Sequence, residues 1–281
     1  MILVTGAGGT VGSELVRQLK ETNASFRAGH HSKEKLAQAT SQGTDAVAID
    51  FAEPGSLRAS LEGVDKLFLL SPTTPEGESN AVKAARAAGV QQIVKLSVFK
   101  AAGEGFSFAK AHRLVEKEIE ASGIRYTFLR PNGFMQNVSN FYGPSIRSEG
   151  AFYLPSKGAR VSHIDVRDIA SVAVRTLTEP GHEGKAYDLT GPEALTYGEI
   201  AEKLSKATGK TIRFVEIPDD AMRTAMIGMG TPGPYVEALI DLMHFYANDE
   251  ASAVSSAVRD LTGKAPRSFD DFARDHVESF R

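Results

Sequence analysis

Short apolar runs alternate with amphipathic stretches along the first 130 residues of the chain. Runs near 2–5, 25–29, 45–49, 66–70, 91–97 and 125–130 have the length of buried strands. Helical patterns fill the intervals, near 11–21, 33–41, 55–61, 78–88 and 108–122. This alternation predicts parallel strands joined by right-handed crossovers, hence an α/β, Rossmann-type doubly wound parallel sheet. Gly89 and Gly123 stand where C-terminal helix caps belong. The stretch 78–88 carries Ala81, Ala84, Ala85, Ala87 and Ala88, small enough to lie close on a sheet.

The rhythm loosens after residue 130. Gly, Pro and Ser cluster in Tyr142-Gly143-Pro144-Ser145 and around Gly150 and Pro155. A strand from Val161 to Ile164, a helix from Val166 to Thr178 and a strand from Ala186 to Leu189 are expected to return to the sheet. The segment from about 196 to 250 reads as mostly helical, broken at Gly228-Met229-Gly230-Thr231-Pro232-Gly233-Pro234. It predicts a smaller, mostly helical lobe over the carboxyl edge of the sheet, where open α/β sheets bind ligands. The expected division is 1–155 for the nucleotide-binding domain and 156–281 for a C-terminal part that returns to the sheet and forms the substrate lobe.

The first strand runs directly into Thr5-Gly6-Ala7-Gly8-Gly9-Thr10-Val11-Gly12 and then a helix. A dinucleotide pyrophosphate needs that order of strand, turn and helix. Gly6 can close the turn, Gly9 lets backbone approach the phosphates, and Gly12 lets helix and strand pack closely. The helix offers free N–H groups and its positive dipole end to the anion. The alternative is a merely structural strand-to-helix turn.

Composition narrows the partners. Of 281 residues 42% are hydrophobic and 24% charged, as in an ordinary chain able to bury a core. Net charge is −3 with the signs interspersed, so neither nucleic acid nor an anionic membrane is an expected partner. Cysteine is absent, which removes disulfides and thiolate metal sites. Adjacent His30 and His31 on a strand would point to opposite faces, so no metal is expected. The longest apolar runs, such as Leu67 to Leu70, are strand-length. A first strand at residue 2 leaves no room for a cleaved leader, and a cytoplasmic location is expected. No GxSxG, HExxH or Walker pattern occurs.

Several motifs together resemble the NmrA-like branch of the atypical short-chain dehydrogenases/reductases, which includes quinone and triphenylmethane reductases. They are TGAGGTVG at the start, Ala84-Ala85-Arg86-Ala87-Ala88-Gly89-Val90, and Leu129-Arg130-Pro131-Asn132-Gly133-Phe134-Met135-Gln136-Asn137. Ile164-Asp165-Val166-Arg167-Asp168-Ile169-Ala170 and Tyr187-Asp188-Leu189-Thr190-Gly191-Pro192 complete the set. The resemblance covers nearly the whole chain and implies NADP(H) bound by a Rossmann body, with a small substrate lobe. After the second strand, where an NAD-specific fold carries an acidic residue, the chain reads Ala28-Gly29-His30-His31-Ser32-Lys33-Glu34-Lys35. His31, Ser32, Lys33 and Lys35 are therefore candidates for a 2′-phosphate, against a plain solvated helix start. Relatives often carry Arg where His31 is placed, and His is mostly neutral at pH ~7.

The family contacts adenine near Asp50 and Phe51, although Asp50 reads equally as a turn residue. Ser71 and Pro72 after the fourth strand, and Ser97 after the fifth, fall beside the expected nicotinamide ribose. Pro131, Asn132, Gly133 and Phe134 fall at the nicotinamide end. Many short-chain dehydrogenases carry Tyr-x-x-x-Lys on the helix after the fifth strand; the register here gives Phe108 and His112. Phe has no proton to give, which argues against alcohol–ketone chemistry by that dyad. A quinone or cationic dye delocalises the charge of an added hydride and takes its proton from solvent. His112 is the candidate catalytic residue, either binding the ribose or protonating product. Lys110 is expected to face away from it. Phe134, Met135, Phe141 and Tyr142, with Leu239, Met243, His244 and Tyr246, are candidates for an aromatic-lined pocket or simply core. Asp165 and Asp168 read as helix N-cap residues.

The expected activity is NADPH-dependent reduction of a quinone or similar conjugated, apolar or aromatic small molecule. The rival is an NADP(H)-binding redox-sensing regulator without turnover. Monomer and homodimer both stay open.

Overall fold

The computed structural model describes residues 1–71 and 75–281. Its first half follows the expected alternation. The strands are β1 (Ile2–Val4), β2 (Phe26–His30), β3 (Ala46–Ala48), β4 (Lys66–Leu69), β5 (Gln92–Leu96) and β6 (Arg125–Pro131). Between them lie α1 (Thr10–Leu19), α2 (Lys33–Ser41), α3 (Pro54–Ser60), α4 (Pro75–Ala87) and α5 (Ser107–Ser122). Gly89 and Gly123 take left-handed φ values of 75° and 79° just past α4 and α5, ending each helix.

After β6 comes α6 (Met135–Asn137), continuing through a π-helical turn, Val138–Tyr142, into α7 (Gly143–Glu149). Then follow β7 (Ala151–Leu154), β8 (Arg160–Val161), α8 (Val166–Thr178) and β9 (Lys185–Leu189). The rest holds β10 (Leu195–Thr196), α9 (Tyr197–Thr208), β11 (Arg213–Glu216) and α10 (Asp219–Gly228). It ends with α11 (Gly233–Ala247), α12 (Ala257–Thr262) and α13 (Phe269–Asp275).

The chain forms two compact units that interleave along the sequence. The first comprises Met1–Ala102, Ala111–Arg130 and Val166–Asp188; the second comprises Gly103–Lys110, Pro131–Asp165 and Leu189–Arg281. The sequence suggests a single boundary near 155, whereas the chain passes repeatedly between the two bodies. The reason is that α8 and β9, late in the chain, are parts of the first.

The first unit is built on a seven-stranded sheet in the order β3-β2-β1-β4-β5-β6-β9. The pairs β1–β2, β1–β4, β2–β3, β4–β5 and β5–β6 are all parallel, with Val4 opposite both Ala28 and Phe68. Leu3, Leu67, Leu69 and Ile93 on one face join Leu57, Val82, Val115 and Ile119 of the covering helices in a single buried cluster. Alternate residues such as Phe68 face the other side. There α1 and α8 pair, with the Gln18 amide donating to the Arg167 carbonyl at 2.9 Å and Ser171 donating back to Gln18 at 3.0 Å.

The second unit differs from expectation. The strand expected over 161–164 shrinks to β8, which pairs antiparallel with β10 instead of entering the main sheet. Its backbone groups are taken elsewhere: Ser162 N–H donates to the Ala251 carbonyl at 3.0 Å and Ile164 N–H to the Gly133 carbonyl at 2.9 Å. A parallel pair, β7 with β11, lies in segments that the sequence reads as irregular or helical. No helix among the described residues is long and apolar enough to cross a membrane.

Candidate functional site

The glycine turn of the first unit has the properties its residue types suggest. Gly6 sits at φ +62°. A Cβ on Gly12 would lie 2.1 Å from the Gly6 carbonyl oxygen, so no side chain fits where α1 crosses the turn. Ala7 N–H donates to the Gly29 carbonyl at 3.2 Å and Gly9 N–H to Gly6 at 2.9 Å, fixing the loop. The helix begins at Thr10 after a Gly9 cap that has no side chain to offer. The N–H groups of Thr10, Val11 and Gly12 consequently have no acceptor among the described residues. Three unmet donors at the positive end of a ten-residue helix suit a phosphate diester.

The end of β2 adds cations and one surprise. Lys35 donates from Nζ to the Gly8 carbonyl at 2.6 Å, and its Cδ lies 2.6 Å from where a Gly8 Cβ would stand. A side chain at Gly8 would have to displace the exposed lysine stem lying over it. Ser32 caps α2, accepting from Lys35 N–H at 3.3 Å, and both His31 and Lys33 are exposed. The ring lying against Gly8 belongs to His30, whose Nδ1 is 3.2 Å from the same Cβ position. His30 is 8% exposed, and neither ring nitrogen has a hydrogen-bond partner among the described residues. Burial, then the Lys35 ammonium, push its pKa down. Sequence reasoning passed over His30. Its position as the last residue of β2, where the acidic ribose ligand of NAD-binding folds stands, was the available signal.

The remaining candidates of this unit divide. Asp50 accepts from Ala52 N–H at 2.9 Å and so organises its own turn, while Phe51 is buried in the core cluster. Ser71 follows β4; Pro72 lies outside the described residues. Ser97, past β5, is buried and donates to Glu116 at 2.7 Å. Glu116 also receives Arg130 at 2.9 and 2.7 Å and Arg113 at 3.2 Å. Burial alone would raise the Glu116 pKa, but hydrogen bonds from Arg130 and Ser97 hold it below the usual carboxylate range. Below this network the fully buried Lys95 pairs with Glu78. His112 is half-buried, yet its Nδ1 is enclosed without a partner among the described residues. Burial, helped by the Lys95 charge, lowers its pKa to about 3. His112 is thereby a neutral imidazole, which opposes the proton-donating half of the role expected for it.

In the second unit Asn132 is a knot, not a free ligand. Its amide donates to Ser162 and to the Ala251 carbonyl, both at 2.9 Å, and its carbonyl oxygen accepts from Gly133 N–H at 2.9 Å. Pro131 is buried, and Phe134 is half-buried in an isolated bridge to Ile164. Phe108 packs edge-on against Tyr235 at 5.8 Å, and Lys110 is exposed. Of the expected aromatic lining, Tyr142 stacks on Phe152 at 5.5 Å, while Phe141 is 67% exposed. Met135, Met243 and Tyr246 are buried, Leu239 is half-buried, and His244 points to Asp219 at 2.8 Å. Asp165 immediately precedes α8 and accepts from Gln136 at 3.0 Å. No group of three or more metal-ligating side chains occurs among the described residues.

A family model described as NmrA-like matches residues 1–273. The chain belongs to the NmrA-like family. Within it, the chain is 38% identical to an NAD(P)H azoreductase from Xenophilus azovorans, over 100% of this chain and 99% of the relative. Two solved structures are similar. An NADPH-dependent quinone oxidoreductase from Escherichia coli, complexed with NADPH, gives a TM-score of 0.88 at 27% identity, covering 98% of this chain and 99% of that one. A triphenylmethane reductase from Citrobacter sp., complexed with NADP(H), gives 0.86 at 28% identity with the same coverage. The NmrA-like assignment thus spans both units.

Proposed function

We propose that the chain is an NADPH-dependent oxidoreductase that reduces a quinone or similarly conjugated small molecule by hydride transfer. The observation that carries the reading is the set of three N–H groups of Thr10, Val11 and Gly12 at the glycine turn, which have no partner among the described residues. They hold the pyrophosphate. Lys35, laid across Gly8 with His30 beside it, reads the 2′-phosphate, and His31 stands exposed at the same turn. When bound, NADPH supplies the hydride. Ser97, tied to Glu116, and His112 face the ribose; His112 acts as a neutral hydrogen-bonding group, since its pKa of about 3 leaves no imidazolium at working pH. Phe108 gives no proton, so suitable acceptors are those whose reduced form is protonated from water. The named activities of the azoreductase, quinone oxidoreductase and triphenylmethane reductase relatives favour flat, conjugated acceptors.

Loss of NADPH absorbance over a panel of quinones, azo and triphenylmethane dyes and enones tests the reading. Acceptor-dependent oxidation is expected with at least one class, and its absence from a protein that binds NADPH overturns it. Lys35→Met should weaken NADPH roughly ten-fold and leave NADH nearly unchanged, by loss of a charge-assisted contact. Calorimetry with both cofactors checks this, and an equal loss for both removes Lys35 from the phosphate.

A further inference from the structure

The second unit holds a group of buried polar side chains around Gly133. A Cβ on Gly133 would meet the Tyr246 hydroxyl at 3.0 Å and the His163 ring at 3.1 Å for Cδ2 and 3.4 Å for Nε2. The two side chains therefore close on one point of the backbone. Tyr246 is 6% exposed and His163 5%. His163 Nδ1 lies 3.2 Å from the Val161 carbonyl. A carbonyl only accepts, so Nδ1 carries the proton and Nε2 is left with a bare lone pair. Neither that lone pair nor the Tyr246 hydroxyl has a hydrogen-bond partner among the described residues. Neither atom is among the fully enclosed polar atoms of the described residues, so both reach accessible space from buried side chains and stand open to a ligand or water.

The surroundings stay uncharged. Tyr142 and Tyr197 complete the group, with Tyr197 edge-on to His163 at 5.7 Å. Burial raises the pKa of Tyr142, Tyr197 and Tyr246, and the neighbouring phenols add to the rise at Tyr197 and Tyr246. Burial likewise lowers His163 to about 4, against the opposing Val161 hydrogen bond. Every member is neutral at physiological pH, which disfavours a carboxylate or phosphate and suits an uncharged heteroatom.

We propose that Tyr246 and His163, set against Gly133, are specificity-determining residues that hold the uncharged heteroatom of the acceptor, a quinone carbonyl oxygen or an azo nitrogen. This rests on the reductase reading. Tyr246 donates to the lone pair of the oxidised acceptor. His163 Nε2 accepts the O–H or N–H that appears once the acceptor is reduced, so one pair recognises both redox states of the molecule.

Steady-state kinetics and calorimetry with menadione as the probe test the assignment in wild type, Tyr246→Phe and His163→Gln. Tyr246→Phe should raise the menadione KM and Kd roughly three- to ten-fold, the range for one neutral hydrogen bond, while the NADPH Kd and Tm stay put. His163→Gln should weaken inhibition by the hydroquinone product more than it raises the menadione KM. Unchanged menadione binding in Tyr246→Phe, or a parallel loss of NADPH affinity, overturns the proposal. A wild type that oxidises no NADPH with any acceptor overturns the reductase reading instead. In that case equal menadione Kd values for wild type and Tyr246→Phe, or no menadione binding at all, overturn this proposal as well.

Discussion

Two buried clusters, one in each unit, treat polar groups by opposite rules. The first buries charge and matches it: Lys95 with Glu78, and Glu116 with Arg130, Arg113 and the Ser97 hydroxyl. Asp188 is less complete, with one enclosed oxygen unmet among the described residues and its pKa raised by burial despite nearby Arg130. The second unit buries phenols and an imidazole around Gly133, neutral and with hydrogen-bonding atoms to spare. A buried ion pair that satisfies itself stiffens a framework and has nothing left for a ligand. A neutral group pays less to be desolvated, so it can stay unmet until a ligand arrives. Matched charge therefore suits the frame of the sheet, and unmatched neutral donors suit recognition.

The largest effect should come from breaking the charged pattern. Lys95→Met leaves the Glu78 carboxylate buried without its partner and should cost about 3–5 kcal/mol by urea denaturation. Adding Glu78→Gln should recover most of the loss. A single-variant cost under about 1 kcal/mol, the size expected of an exposed pair, would erase the contrast between the units. A smaller effect should follow from crowding the neutral pattern. Gly133→Ala forces a methyl against the Tyr246 hydroxyl and the His163 ring, an overpacking of about 1–2 kcal/mol. In a Tyr246→Phe background part of that cost should vanish, and a double-mutant cycle with no coupling would mean that the two groups do not meet.

The effect that is smallest at neutral pH grows as pH falls and compares the two histidines directly. Both pKa values lie below the unfolded value of ~6.5, at about 3 for His112 and about 4 for His163. Below pH ~6.5 the unfolded chain binds protons that the folded one does not. Stability is thus full above that pH and falls as pH drops toward 4, by up to ~1.4 kcal/mol per pH unit for each histidine. His112→Gln and His163→Gln should each flatten the acid side of a Tm-versus-pH curve. In the Lys95→Met/Glu78→Gln background the His112 pKa should rise while that of His163 holds still, as followed by NMR. A shift of both would mean that Lys95 is not the cause.

Features set by neighbours in sequence were readable from the residues. The strand at residues 2–4, the Gly6 turn and the caps at Gly89 and Gly123 follow from local periodicity and from φ values that only glycine adopts cheaply. What escaped depends on distant partners. Strands β7 and β11 are four residues each, from segments some 60 positions apart, and neither shows a pattern until the other lies beside it. Phe51 was placed by resemblance and its side chain lies in the core, while Asp50 serves its own turn, the reading that its residue type offered beside the adenine contact. His30 was hidden by its neighbour, since both residues look alike in the sequence and only the strand's facing separates the enclosed ring from the exposed one. The pairing of Tyr246 with His163 spans more than eighty residues and has no signature at all.

The interleaving of the two units has a consequence for biosynthesis. The sheet's β6 edge stays open until β9 (Lys185–Leu189) is made, and the buried face of α1 lacks its cover until α8 (Val166–Thr178) emerges. A nascent chain halted near residue 155 would expose backbone donors along β6 and the apolar stripe of Val11, Leu15 and Leu19. Such an intermediate is a template for misassembly, so chaperone contact should peak while residues 131–165 are being synthesised and fall once Leu189 has left the ribosome.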